Sequence, residues 1–244
     1  MPQIAYLRLL IVFLSFMPHF FALSVVVCVL LAGPLCGQNA LATAEALAAD
    51  GNYQASNTLL QDYIANHPAR RYDLGRAWWL LSANYLRDQQ LEKARYANAQ
   101  SILLRRQFSP TDLAENYLRE AEIELAAKNP ARALQAAEQG LQMPVADAEL
   151  YVLLHLAAAR AHAAQQQFAR VDTYLETTAS ILAIELPPCS PAAIEAYYTA
   201  AELELLRGNE AAARHWYVQA LCYDRNLARL RELFARIYAL PPNG

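Results

Sequence analysis

Glycine is scarce in this chain, at 7 residues among 244. There is no glycine-rich loop to cradle a phosphate, no H-E-x-x-H and no C-x-x-C, so P-loop nucleotide chemistry, zincin-type hydrolysis and thioredoxin-type exchange have no motif to stand on. No run of alternating β-branched residues reads as a strand. No cluster of Lys and Arg stands out, which argues against nucleic acid as a partner. Acidic residues are missing before Glu45, and Arg8 is the only basic residue in that stretch. The net charge is −3; losing the segment that holds Arg8 would leave −4, from −3 minus +1. Cysteine is sparse too: of four, Cys28 and Cys36 fall in the uncharged leading segment, which leaves Cys189 and Cys222.

That leading segment, Leu9 to Gly37, carries no charge. An apolar run of this length behind a lone arginine reads as an export signal or a membrane anchor over residues 1–37. It is longer than the usual signal core of roughly 7–15 residues, and Pro18 and His19 interrupt it. Met17 is an alternative start, at the cost of Arg8. In either case the charge pattern holds the N-terminus in the cytoplasm and sends the remainder across. Small-x-small cleavage sites occur at Ala40-Leu41-Ala42, at Ala42-Thr43-Ala44 and, more weakly, at Leu35-Cys36-Gly37. "LAGPLC" departs from a lipoprotein box because Leu35 stands where a small residue is needed. The expected location is the periplasm, or a membrane anchor facing it if the segment is uncleaved.

What is present from about residue 40 onward is alanine and leucine in a chain that is 56% hydrophobic and 18% charged, a composition that favours helix. Internal repeats organise it. "AEIELAAKNPARA" (Ala121–Ala133) and "AELELLRGNEAAA" (Ala201–Ala213) agree at seven of thirteen positions. Each follows a Ser-Pro pair, Ser109-Pro110 or Ser190-Pro191, and serine with proline marks a helix start. Each then breaks, at Lys128-Asn129 or Gly208-Asn209. Further breaks at Gly51-Asn52, Asp88–Gln90 and Gln165–Gln167 define five helix–turn–helix units. They begin near 37, 75, 114, 152 and 194, a period of about 38–42 residues. A final stripe of Leu227, Leu230, Leu233, Phe234 and Ile237, backed by arginines and ended by Pro241-Pro242, reads as a capping helix.

Small residues recur at fixed places: Ala44, Ser82, Ala121, Ala159 and Ala201 in the first helix of each unit, and Ser56, Ala94, Ala133, Val171 and Ala213 in the second. With large aromatics at Trp78, Tyr117 and Tyr197, and at Tyr53 and Phe168, this pattern resembles the tetratricopeptide repeat (TPR), a helix–turn–helix unit of about 34 residues. The resemblance covers nearly everything after residue 37. Glu124 and Glu204 depart from it, standing where a tyrosine is usual, and His155 and His162 replace aromatics. The longer period implies extended turns between units, such as Ile184–Pro191. Cleavage near Gly37, or none, would keep the first unit whole.

The resemblance implies an all-α, right-handed superhelical solenoid of about five repeats (38–70, 75–108, 114–147, 152–185, 194–225) with a capping helix and tail over 226–244. It implies a concave binding face lined by the first helices. Arg76, Trp79, Ala83 and Arg87 come from the second unit, and Glu115, Leu118, Glu122 and Leu125 from the third. The fourth supplies Leu153, Leu156 and Arg160, and the fifth Glu195, Tyr198, Glu202 and Leu205. Some members grip a partner's C-terminal carboxylate with lysine and asparagine at two of these positions. Here the pairs are Trp79/Ala83, Leu118/Glu122, Leu156/Arg160 and Tyr198/Glu202, so that clamp is absent. Such a face suits an extended or helical peptide, with Trp79 and Tyr198 as anchors unless Trp79 packs between units.

Other residues have structural readings beside the chemical one. His155 and His162, seven apart, share a helix face and suit packing or hydrogen bonding better than a metal. Glu120 and Glu124 suit arginines on an adjacent helix, or solvent. Cys189 and Cys222 lie at ends that an antiparallel helix pair brings together, either as a disulfide closing about 33 residues or as two free thiols. The expected function is a non-enzymatic scaffold, without cofactor or metal, that holds an envelope protein. The alternative is a small-ligand or cell-wall glycan binder using Trp78, Trp79, Tyr197 and Tyr198.

Overall fold

The computed structural model describes residues 40–107, 109–187 and 190–221, with 233, 236 and 237. The leading segment, Cys189, Cys222 and most of the expected capping helix lie outside the described residues. The described residues hold ten helices and no strand: α1 (40–49), α2 (Tyr53–Asn66), α3 (Arg71–Arg87), α4 (Leu91–Arg105), α5 (Pro110–Ala126), α6 (Pro130–Leu141), α7 (Ala148–Ala164), α8 (Phe168–Glu185), α9 (Pro191–Arg207) and α10 (Glu210–Leu221). Leu233, Arg236 and Ile237 are also helical. The chain forms two compact units, Met1–His67 and Pro68–Gly244.

In the first unit α1 and α2 make one hairpin. Ser56 and Ala44 are both buried, and the Ser56 hydroxyl donates to the Ala44 carbonyl at 2.8 Å. In the second unit four hairpins follow, α3–α4, α5–α6, α7–α8 and α9–α10. Each second helix packs on the next hairpin, and the first helices α3, α5, α7 and α9 also pack on one another in order. This is the stack that the repeats predict, since a lone hairpin cannot bury its apolar face.

Every hairpin turns in the same way. Gly51, Gln89, Lys128, Gln166 and Gly208 all have positive φ, between 58° and 83°. Each donates its amide three residues back, and the next residue donates five back; Gly208 to Leu205 and Asn209 to Glu204 are examples, at 3.0 and 2.9 Å. That pair of bonds closes a helix with a left-handed residue and satisfies its last carbonyls. Glycine takes this conformation freely; Gln89, Lys128 and Gln166 take it without that freedom.

The first helices of the second unit all run 17 residues. Three start at side-chain caps: Ser109 accepts from Asp112 N–H, Asp147 from Glu149 and Leu150 N–H, and Ser190 from Ala193 N–H. These caps begin α5, α7 and α9 about a turn before the expected unit starts. The helix starts at Ser109-Pro110 and Ser190-Pro191 are where the sequence puts them. The long period goes into both turn and helix: residues 142–147 and 186–187 are non-helical between units, while α8 continues to Glu185.

The small residues lie where helices cross. Ser82, Ala94, Ala121, Ala133, Ala159, Ala201 and Ala213 are fully buried, and Val171 nearly so. At the α6–α7 crossing, a Cβ on Gly140 would stand 2.5 Å from a Leu154 methyl. No larger residue fits there without displacing a buried leucine. One cluster gathers α7, α8 and α9 around Val152, Leu156, Val171, Leu175, Ala196 and Leu203. A second cluster sets Tyr198, Ala201, Tyr217 and Ala220 against Leu233 and Ile237, so part of the apolar stripe expected to cap the stack does cover the last hairpin.

Candidate functional site

A groove of about 340 Å³ opens between the first helices α5, α7 and α9. Leu118, Glu122 and Leu125 line it from α5; Glu149, Leu153, Leu156, Ala157 and Arg160 from α7; Pro191, Ala192 and Glu195 from α9. These residues recur at three- and four-residue spacing, which puts them on one face of each helix. Leu156 and Ala192 are buried and form its floor, while Leu118, Glu122, Leu125, Leu153, Arg160 and Glu195 are half-exposed.

The charges of the groove are arranged. Arg160 Nη2 donates to Glu195 Oε1 and to Thr199 Oγ1, each at 2.7 Å, which ties α7 to α9. Arg119 Nη1 donates to Glu122 Oε2 at 2.6 Å along α5. Glu149 has no ion pair among the described residues. Sequence reasoning missed it because α7 begins at Ala148, before the expected unit start; Asp147, a strong N-cap residue type, was the signal that could have placed it.

The other expected site residues go elsewhere. Arg76 and Arg87 are exposed on α3 and do not line the groove. Glu115 is held by Arg105 at 2.7 Å. Trp79 lies between two guanidinium groups, with Arg105 and Arg119 at 5.6 and 5.4 Å from its ring, a cation–π arrangement. It packs on α3 against side chains from α4 and α5. Tyr198 is 6% exposed beneath Leu233 and Ile237, and its hydroxyl donates to Glu202 at 3.0 Å. Residues from far along the chain cover this residue, which the sequence reading offers as a binding anchor. Glu202 pairs with Arg236 at 3.1 Å. Trp78 meets Tyr96 edge to face at 5.7 Å, and Tyr197 stacks on Trp216 at 6.0 Å. None of the four aromatics of the glycan alternative lines the groove.

Beneath α3 and α5 runs a buried polar network that the sequence did not announce. Arg105, 4% exposed, donates to Asp112, Glu115 and the Asn116 side chain. Asn98 and Asn116 pair at 2.8 Å, and Ser101 donates to the Gly75 carbonyl at 2.8 Å. Glycine at 75 leaves room for the Arg105 stem, whose Cγ would stand 2.5 Å from a Cβ there. Next to it Arg95 Nε donates to Glu124 Oε1 at 2.7 Å. Burial pushes the Glu124 carboxyl up, but Arg95, Asn129 and Arg132 together bring it below its ordinary value. Glu120, half-buried beside the Glu124 charge, is pushed up.

His155 and His162 are buried on α7. His155 Nδ1 lies 2.9 Å from the Tyr151 carbonyl, and His162 Nδ1 2.7 Å from Gln167 Oε1. Both rings pack against Tyr174. Burial pushes the His155 imidazole down, against the opposing hydrogen bond to Tyr151. Among the described residues no three His, Cys, Asp or Glu side chains gather as a metal would require, and no helix is long and apolar enough to cross a membrane.

No protein-family model matches the sequence, and no curated protein does. Solved structures do. A thermophilic TPR protein from Thermus thermophilus superimposes with a TM-score of 0.67 at 20% identity, over 84% of this chain and 100% of its own. A Podosopora anserina protein described as a kinesin light chain, with nearly identical TPR-like repeats, gives 0.58 at 17% identity over 82% and 96%. PilW, a widely conserved type IV pilus biogenesis factor, gives 0.61 at 15% identity over 82% and 87%.

Proposed function

We propose that this chain, which carries the tetratricopeptide-repeat fold, is a non-enzymatic scaffold that receives a segment of another protein in the groove between α5, α7 and α9. One observation carries the reading: a half-exposed leucine-lined channel runs across three consecutive first helices, where a stack of hairpins offers a continuous surface to an extended or helical segment. The volume lies at the lower end of the roughly 300–1,000 Å³ typical of small-ligand sites. It suits a few side chains presented by a peptide. Trp78, Trp79 and Tyr197 each already pack against an aromatic or guanidinium neighbour, which favours the peptide reading over the glycan one.

The uncharged segment from Leu9 to Gly37 supports action outside the cytosol, in the bacterial envelope. The likeness to a pilus biogenesis factor makes an envelope assembly the natural setting for the partner.

A photo-crosslinking residue placed at Leu125 in cells tests this reading, with the same residue at Tyr96 on α4 as control. Capture of a discrete partner from position 125, lost with Leu153→Glu and not obtained from position 96, is the expected result. Equal capture from both positions, or capture indifferent to Leu153→Glu, overturns it.

A further inference from the structure

We infer that the occupant of this groove is a cationic apolar segment: a peptide that presents a lysine or arginine within one helical turn of two aliphatic side chains. The inference rests on the groove being the docking surface and adds the chemistry of what docks. The charges decide it. The lining holds three carboxylates, Glu122, Glu149 and Glu195, and one guanidinium, Arg160. Arg160 is spent internally on Glu195 and Thr199, so it has little to offer an incoming anion. Arg119 offsets Glu122 from the same helix. That leaves Glu149, without an ion pair among the described residues, on the first turn of α7. The positive end of a helix suits a carboxylate there and adds no counter-charge from a side chain. An acidic segment would bring like charge against this lining, whereas a cation from a partner would complete it.

The apolar half of the requirement comes from Leu125 and Leu153, half-exposed at the groove walls. They give aliphatic side chains a surface to cover, one helical turn from the carboxylates. The polarity is opposite to that of a groove built to hold a carboxylate terminus, which needs cations on the protein side.

The test uses the purified full chain and a displayed library of random peptides about 16 residues long, enough for roughly four helical turns. Selected peptides are then measured by fluorescence anisotropy against the parent, Glu149→Gln, Glu149→Lys and Leu125→Glu, each checked for a native helical spectrum. The expected consensus places Lys or Arg three or four residues from paired aliphatics. Affinity should fall about threefold with Glu149→Gln and about tenfold or more with Glu149→Lys, weaken with salt, and vanish with Leu125→Glu. A neutral or acidic consensus that still depends on Leu125 overturns the charge inference and leaves the groove intact. A consensus whose binding ignores Leu125→Glu, or no selected binder at all, overturns both.

Discussion

Glu124 shows what a single departure from a repeat pattern entails. At 3% exposure a carboxylate needs compensation, and Arg95 supplies it with two hydrogen bonds, at 2.7 and 3.4 Å. Arg95→Met leaves that carboxylate with its lesser partners and should lower stability at pH 7 by about 2 kcal/mol, read by urea unfolding. The pH dependence has a definite sign. The folded carboxyl sits below its ordinary 4.5, so its contribution is present above that value and lost as pH falls through the folded one. The gap between parent and variant should therefore narrow in acid; a gap that stays constant down to about pH 3 contradicts the account. His155 works on a different window. It is held neutral by burial, below its ordinary 6.5, so falling pH protonates the unfolded chain first and erodes stability from about 6.5 downward. His155→Phe should flatten thermal stability between about pH 6.5 and 5, and an unchanged slope would count against it.

Each element is set by its ends. The five turns share one hydrogen-bonded closure around a left-handed residue, but only two use glycine there. A left-handed conformation costs an ordinary residue roughly 1–2 kcal/mol, partly offset because glycine frees the unfolded chain. Lys128→Gly, at a φ of 58°, should thus stabilise by about 0.5–1 kcal/mol, with its denaturation midpoint shifted upward and the slope unchanged. A downward shift would mean that the Lys128 side chain makes a contact worth more than the strain. At the other ends, side-chain caps at Ser109, Asp147 and Ser190 set where α5, α7 and α9 begin. The Asp147 cap is what brings Glu149 onto the groove.

Across the second unit, stability should be nearest-neighbour in character, because each hairpin packs chiefly on the next. Leu233 and Ile237, both fully buried against the last hairpin, are its outer support. The double variant Leu233→Ala, Ile237→Ala should release amides of α9 and α10 to hydrogen exchange while those of α3 to α6 stay protected. Uniform loss of protection from α3 through α10 would show a single cooperative block instead. The same variant should expose Tyr198, which would raise its quenching by iodide.

The sequence by itself determined the helical class, the five turns and the residues at the crossings. Turn and cap preferences act within a few residues, and Gly51, Gly208, Ser109 and Ser190 carry them in their own chemistry. Small residues at fixed spacing marked the crossings for the same reason: close approach of two backbones excludes a long side chain whatever lies beyond. Four things were decided only by the tertiary structure: Tyr198 buried, Trp79 held between two arginines, Arg105 taken into the interior and Glu149 left on the groove. Whether a side chain is covered, paired or open depends on what arrives from far along the chain. Leu233 reaches Tyr198, Asp112 and Glu115 from the next hairpin reach Arg105, and no periodicity read along one helix contains those encounters.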